Sequence, residues 1–165
     1  MLSNGKNENT STETDFRPHD SYNQKRLNGW HLLVVDDDDD VRELLVTLIC
    51  EQGAVVTAAD CVAEAMRAFE SSSYDVVLSD LAMPGHDGFD LIEAIRRHDR
   101  ADVRDVRAIA VTAFGDDAHR RRAVAAGFDA YLTKPVDPAR LVATIVTVAH
   151  GQPVRRHAPA PENEN

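Results

Sequence analysis

The residues of this chain best suited to chemistry are carboxylates, one hydroxyl and one ammonium, each placed at the end of a short apolar run. Asp36 and Asp37 open a run of five aspartates, Asp36 to Asp40, directly after "HLLVV". Asp80 follows "DVVLS", Thr112 closes "AIAVT", and Lys134 follows "AYLT" and precedes Pro135. Like charges packed this closely repel, so some must be solvated, protonated or neutralised by a cation. Oxygen donors of this kind suit Mg²⁺, which commonly takes one or two carboxylates together with waters and phosphate. A carboxylate can also be a nucleophile that forms an aspartyl-phosphate. Phosphoryl transfer then needs positioning and charge neutralisation, with a metal on one side and a lysine and a hydroxyl on the other. None of the seven histidines directly follows one of these runs, and no serine or thiol nucleophile is set against a histidine base.

Convergence of these residues depends on the elements that carry them. The apolar runs at 31–35, 54–58, 75–79, 108–112 and 130–133 are short and bounded by Gly, Asp or Pro, as buried strands are. Helical patterns fill the gaps. Val41, Leu44, Leu45, Leu48 and Ile49 form one apolar stripe, with Gly53 just beyond the helix end. Val62, Ala65, Met66 and Phe69 repeat that spacing, with Asp60 as the expected cap. Phe89, Ile92 and Ile95 mark a third helix, "GDDAHRRRAVAAG" a fourth, and "VDPARL" starts a fifth with Asp137 at the cap and Pro138 in first position. Five strand–helix repeats imply an α/β protein with a parallel sheet covered on both faces. Ligands of such sheets bind beyond the carboxyl ends of the strands. Asp36, Asp37, Asp80, Thr112 and Lys134 all sit there.

Length and composition bound the rest. A chain of 165 residues holds one ordinary domain plus tails, expected as a flexible tail over 1–28, a domain over 29–150 and a second flexible tail over 151–165. The net charge of −10 argues against broad attraction to nucleic acid or anionic membrane. No apolar run approaches the roughly 20 residues needed to cross a bilayer. The polar start "MLSNGKNENTSTETDF" lacks the apolar centre of a secretory signal, and the two cysteines, Cys50 and Cys61, have no metal-type spacing. A cytoplasmic protein is expected.

The stretches "LLVVDDDDDVRELL", "DVVLSDLAMPGHDGFDLIEAIR", "AIAVTAF" and "GFDAYLTKPVDPARL" resemble, jointly and in order, the receiver domain of two-component response regulators, including chemotaxis receivers and those attached to hybrid histidine kinases. The likeness spans about residues 30 to 150. It implies a (βα)5 flavodoxin-like, doubly wound five-stranded sheet in the order 2-1-3-4-5. It implies Asp80 as phosphoacceptor, with Mg²⁺ held by Asp36, Asp37, Asp80 and the backbone carbonyl of Ala82. Thr112 and Lys134 then contact the phosphoryl oxygens, the Lys134–Pro135 bond is cis, and Tyr131 is the aromatic switch residue that turns inward as Thr112 moves. Asp38 to Asp40 are left as a solvated helix start.

The function implied is a phosphorelay switch, not an enzyme. A sensor or hybrid histidine kinase, or a histidine phosphotransfer protein, donates to Asp80, and an unidentified protein target reads the helix and strand around "AHRRRAVAAGFDAYLT". Direct DNA binding is not expected, and dimerisation on phosphorylation is left open. Arg120 to Arg122, with Asp129 and Arg140, are candidates for a partner surface. Ala82 and Phe114 occupy positions that modulate acyl-phosphate hydrolysis in the family. Neither side chain orients water, so a long-lived phosphoprotein is expected, with Phe114 as a shield. Two other readings stay open on residues alone: an aspartate-dependent phosphatase, from the D-x-D spacing inside the run, and a binding module that uses the fold without phosphorylation.

Overall fold

The computed structural model describes residues 25–151. The expected tails fall almost wholly outside them. Eleven elements follow one another: β1 (His31–Val35), α1 (Asp39–Glu51), β2 (Val55–Ala59), α2 (Val62–Ser71), β3 (Val76–Ser79), α3 (Gly88–Arg96), α4 (Ala101–Arg104), β4 (Arg107–Thr112), α5 (Asp117–Ala126), β5 (Ala130–Thr133) and α6 (Pro138–His150). The strands form one parallel sheet in the order β2-β1-β3-β4-β5, as the resemblance implies. The one-turn helix α4 is an addition to the expected repeat. Its four residues are too few for periodicity to show, and Val103 anchors it in the core.

Alternation along the strands divides the core into two layers. Leu32 and Val34 of β1, Val76 and Leu78 of β3, and Ile109 and Val111 of β4 face Leu45 and Ile49 of α1 and Leu141 and Ile145 of α6. Leu33 and Val35, Val77, and Ala108 and Ala110 face the other way, onto Ala65 and Phe69 of α2, Leu91, Ile92 and Ile95 of α3, and Ala123 of α5. Residues that follow the strands therefore leave the sheet from between two packed layers.

Three local expectations are corrected. Leu44 lies off the buried stripe of α1 and is 53% exposed, because Leu45 and Ile49 carry that helix's contact with the sheet. Asp60 does not cap α2. Cys61 holds the N-cap position without a side-chain bond, and the Asp60 amide donates instead to Glu64 Oε2 at 2.8 Å. Leu27 falls in a stretch that polar composition assigns to the tail, yet it is fully buried, and its amide donates to the carbonyl of Gln52 at 2.9 Å. A single apolar residue within a polar run has no period to reveal it. Asp137 caps α6 and Gly127 closes α5 where expected, Gly127 with φ of 115°, and Asp38, read only as part of a solvated helix start, is the N-cap of α1.

Candidate functional site

Register brings the polar strand ends together. Val35 pairs with Ser79 across β1 and β3, Ser79 pairs with Ala110, and Thr112 pairs with Thr133. The next residues, Asp36, Asp80 and Lys134, thus lie side by side on the carboxyl rim. Backbone bonds fix them there: the Asp80 amide donates to the Val35 carbonyl at 2.9 Å, and the Lys134 amide to the Thr112 carbonyl at 2.8 Å. The Lys134–Pro135 bond is cis.

Asp36, Asp80 and Thr112 are buried, whereas Asp37 is exposed. One carboxylate oxygen each from Asp36, Asp37 and Asp80 fall within 4.8 Å of one another. Two unit charges at that separation repel by about 3 kcal/mol at an effective dielectric near 20. Lys134 offsets part of this, its Nζ lying 2.7 Å from Asp36 Oδ2 and 3.3 Å from Asp80 Oδ2. Burial still pushes the Asp36 carboxyl above its ordinary pKa, against the lowering effect of Lys134 and of the Asp38 amide. Burial works the other way on the Lys134 ammonium, but the hydrogen bond and charge of Asp36, with the charge of Asp80, prevail and raise its pKa. The donor set fits a hard divalent cation: three carboxylates, all oxygen ligands, with one ammonium for three negative charges.

Local structure aims each group. Asp36 Oδ1 accepts from the Asp38 amide at 3.0 Å, and Arg42, one turn into α1, donates to the Asp36 carbonyl at 2.7 Å. Asp80 Oδ1 accepts from the Ala82 amide at 3.2 Å. Ser79 Oγ donates to the Asp80 carbonyl at 2.8 Å. Gly88, the first residue of α3, packs against the same backbone. A Cβ there would stand 2.1 Å from the Asp80 oxygen and 2.9 Å from Leu81 Cα. Neither the Gly88 approach nor the Arg42 bond follows from local spacing in the sequence.

Thr112 Oγ1 accepts from the Phe114 amide at 3.3 Å. Tyr131 is buried on β5, and its hydroxyl donates to the Phe114 carbonyl, so its ring stands in the inward position. The Phe114 side chain packs against α5. It is 42% exposed and stacks on His119 with centroids 4.4 Å apart, while His119 Nδ1 is paired with Asp116 Oδ2 at 2.6 Å. Asp129 is corrected as well. It is no partner-surface residue, because its carboxylate takes the Ala108 amide at 2.8 Å and pairs with Arg96 and Arg107 at 3.5 and 3.3 Å.

The family profile described as the response regulator receiver domain matches residues 32–146. The chain belongs to this family. Receiver domains serve phosphorelay signalling as phosphoryl-accepting modules, and they generally use Mg²⁺ at an acidic pocket such as the one formed here by Asp36, Asp37 and Asp80. Among relatives, an uncharacterized 14.6 kDa protein in the sodA1 3′ region of Leptolyngbya boryana is 42% identical over 111 residues, covering 67% of this chain and 83% of that one. Protein PetR of Rhodobacter capsulatus is 32% identical over 74% of this receiver chain. The match covers 50% of PetR, so the chain spans about half the length of that curated relative. The Vibrio cholerae chemotaxis protein CheY4 superposes with a TM-score of 0.68 at 25% identity, covering 72% of this chain and 98% of that receiver.

Proposed function

We propose that this receiver domain is a phosphorylation-controlled switch whose acceptor is Asp80. A carboxylate oxygen of Asp80 attacks the phosphorus of a phosphohistidine. The new O–P bond forms as the N–P bond to the donor imidazole breaks, and that nitrogen keeps the electron pair. The donor is a sensor or hybrid histidine kinase or a histidine phosphotransfer protein, the partners with which receiver domains pair. Asp36, Asp37, Asp80 and the Ala82 carbonyl would hold Mg²⁺, which when bound supplies neutralising charge for the phosphoryl oxygens and the crowded carboxylates.

The observation that carries this reading is the position of Lys134, whose ammonium reaches both Asp36 and Asp80 while Asp37 stays open to solvent. One side of Asp80 is thereby cationic and the other rich in oxygen donors, which is the division an incoming phosphoryl group requires. Once Asp80 carries the acyl phosphate, Lys134 is drawn from Asp36 toward the phosphoryl oxygens. Thr112, now bonded to the Phe114 amide, shifts its hydroxyl toward them, and the β4–α5 connection follows, while Tyr131, already inward, holds the Phe114 carbonyl. The changed surface acts by binding another protein, as output or as relay, in the cytoplasm. Among the described residues no helix is long and apolar enough to cross a membrane.

The deciding experiment is intact-mass measurement after incubation with acetyl phosphate or phosphoramidate and Mg²⁺. One phosphoryl group should be gained, and the Asp80→Asn variant and the reaction without Mg²⁺ should gain none. Failure of both donors to label, under conditions where another receiver labels fully, would favour a phosphorylation-independent binding module. Steady turnover of a small phosphate ester that survives Asp80→Asn would favour the phosphatase reading.

A further inference from the structure

We infer that the groove between α3 and α5 is a docking site for an acidic segment of a partner protein. The chain carries a net charge of −10, yet α5 presents three consecutive arginines, Arg120, Arg121 and Arg122, all exposed. Among the described residues none of the three has a carboxylate partner. Two of them lie on aromatic rings. The Arg120 guanidinium stands 5.6 Å from the Tyr131 centroid, and that of Arg122 stands 3.9 Å from the centroid of Phe89 on α3. A guanidinium held over a ring is pre-organised and weakly hydrated, and its outward N–H groups remain available for a carboxylate.

Arg122 and Phe89 form part of a groove of about 460 Å³ whose remaining lining is Glu93, Arg96, Arg97, Ala125 and Ala126. Three arginines face one glutamate. Arg96 is engaged with the Gly127 and Val106 carbonyls and with Asp129, and Arg97 pairs with Glu93 at 2.8 Å, which neutralises the one acid of the groove. Arg122 is left as its available charge. Small alanines and the Phe89 ring supply apolar surface beside that charge. Arginine and aromatic side chains together are what the energetic centres of protein interfaces are made of.

The charge pattern selects the occupant. The net negative field of the chain opposes any anion but opposes a long polyanion most, whereas a short segment with a few carboxylates and an apolar residue meets little of that field and matches both the charge and the apolar surface of the groove. A second copy of this chain, paired through α5 and α6, offers the three arginines a single acid from those two helices, Asp117 at the start of α5. Acidic docking in this groove does not depend on the chemistry of Asp80.

The test is ¹⁵N–¹H spectroscopy of the full chain, without phosphorylation, titrated with an acetylated Glu-Glu-Leu-Glu-Glu peptide, its all-glutamine counterpart and hexathymidylate. The acidic peptide should shift amides of α3 and α5 and weaken with salt. Arg122→Gln should weaken it about fivefold, the equivalent of about 1 kcal/mol for one charge-assisted contact. Arg122→Lys should restore part of the loss, and Arg120→Gln, on the Tyr131 side, should change it less than twofold. Thermal melting of the variants separates folding from binding: a lowered melting point with unchanged peptide affinity would make Arg122 a structural clasp and overturn the proposal. Equal binding of the glutamine peptide, tighter binding of hexathymidylate, or shifts reproduced by raising protein concentration alone would overturn it in favour of a neutral peptide, a nucleic acid or self-association.

Discussion

A methyl group on Gly88 would lie 2.1 Å from the carbonyl oxygen of Asp80, so α3 begins in direct contact with the backbone of the acceptor residue. Neither neighbour is a flexible side-chain end, and Asp80 is further held by the Val35 carbonyl and by Ser79. Gly88→Ala should therefore displace the acceptor loop, lowering unfolding free energy by about 3 kcal/mol. Acetyl-phosphate labelling should slow in the same variant at temperatures where it remains folded. Chemical denaturation and the labelling time course check both halves.

Lys134 keeps only 18% side-chain exposure beside the buried Asp36. Lys134→Met should cost about 2 kcal/mol at neutral pH, below the figure for a fully enclosed pair because solvent still reaches the site. The sign with pH is definite. Burial raises the Asp36 pKa, so the protonated form is favoured in the folded state, and stability is lost as pH rises through that raised value. Removal of the ammonium widens the window. The deficit of Lys134→Met should be largest near pH 7 and shrink as pH falls into the carboxylate range, as read from urea midpoints across a pH series.

Mg²⁺ should raise the melting temperature in a saturable way, adding about 1.4 kcal/mol at tenfold its dissociation constant. Asp37 is exposed, so Asp37→Ala should leave the metal-free melting temperature nearly unchanged and abolish most of the Mg²⁺-dependent increment. Calorimetry with and without Mg²⁺ separates the two effects. Equal increments in both proteins would remove Asp37 from the metal site.

Phosphorylated protein should decay slowly. The Ala82 side chain cannot hold a water, and Phe114 lies against His119. Ala82→Asn combined with Phe114→Glu should hasten phosphate loss about tenfold, on the scale of one positioned polar group in proton transfer or orientation. The decay of the phosphoprotein mass after donor removal measures it, and an unchanged half-life would place rate control elsewhere.

Asp102 on α4 has its carboxyl held down to about 2, first by its hydrogen bond from Arg100 and then by Ser73. A depressed carboxylate contributes stability above its unfolded pKa and loses it as pH falls through the folded value. Asp102→Asn should be less stable than the parent at pH 7, and the two should converge between about pH 4 and pH 2. Melting curves over that interval decide it.

The fold was largely legible because its evidence is periodic. Runs such as "HLLVV" and "AIAVT" mark buried strands, and Gly53, Gly127 and Asp137 punctuate the helices between them. The site was legible for a related reason: a parallel sheet places whatever follows each strand on one rim, so Asp36, Asp80, Thr112 and Lys134 could be read by position alone. Contacts between distant segments could not. The approach of Gly88 to Asp80, the Arg42 bond to the Asp36 carbonyl and the stacking of Phe114 on His119 depend on side-chain placement. Asp129 looked like surface charge because its partners, Arg96 and Arg107, are contributed by α3 and β4, far from it in sequence. Leu27 and α4 were missed because one buried residue, or one helical turn, has no repeat.

The described chain enters and leaves at the same end of the sheet, opposite the carboxyl rim. Leu27 is anchored just before β1, α6 runs back from the rim, the Trp30 and His150 rings meet at 5.3 Å, and Arg107 donates to the Gly151 carbonyl at 2.8 Å. A strand of five residues separates that end from Asp80 by roughly 16 Å. Fluorophores or affinity handles attached at Lys25 or Gly151 therefore start from the far pole of the described domain. A support joined at Lys25 or Gly151 would stand on the opposite side of the sheet from the acceptor carboxylate, which suits such attachment to surface-based measurements of phosphodonor exchange.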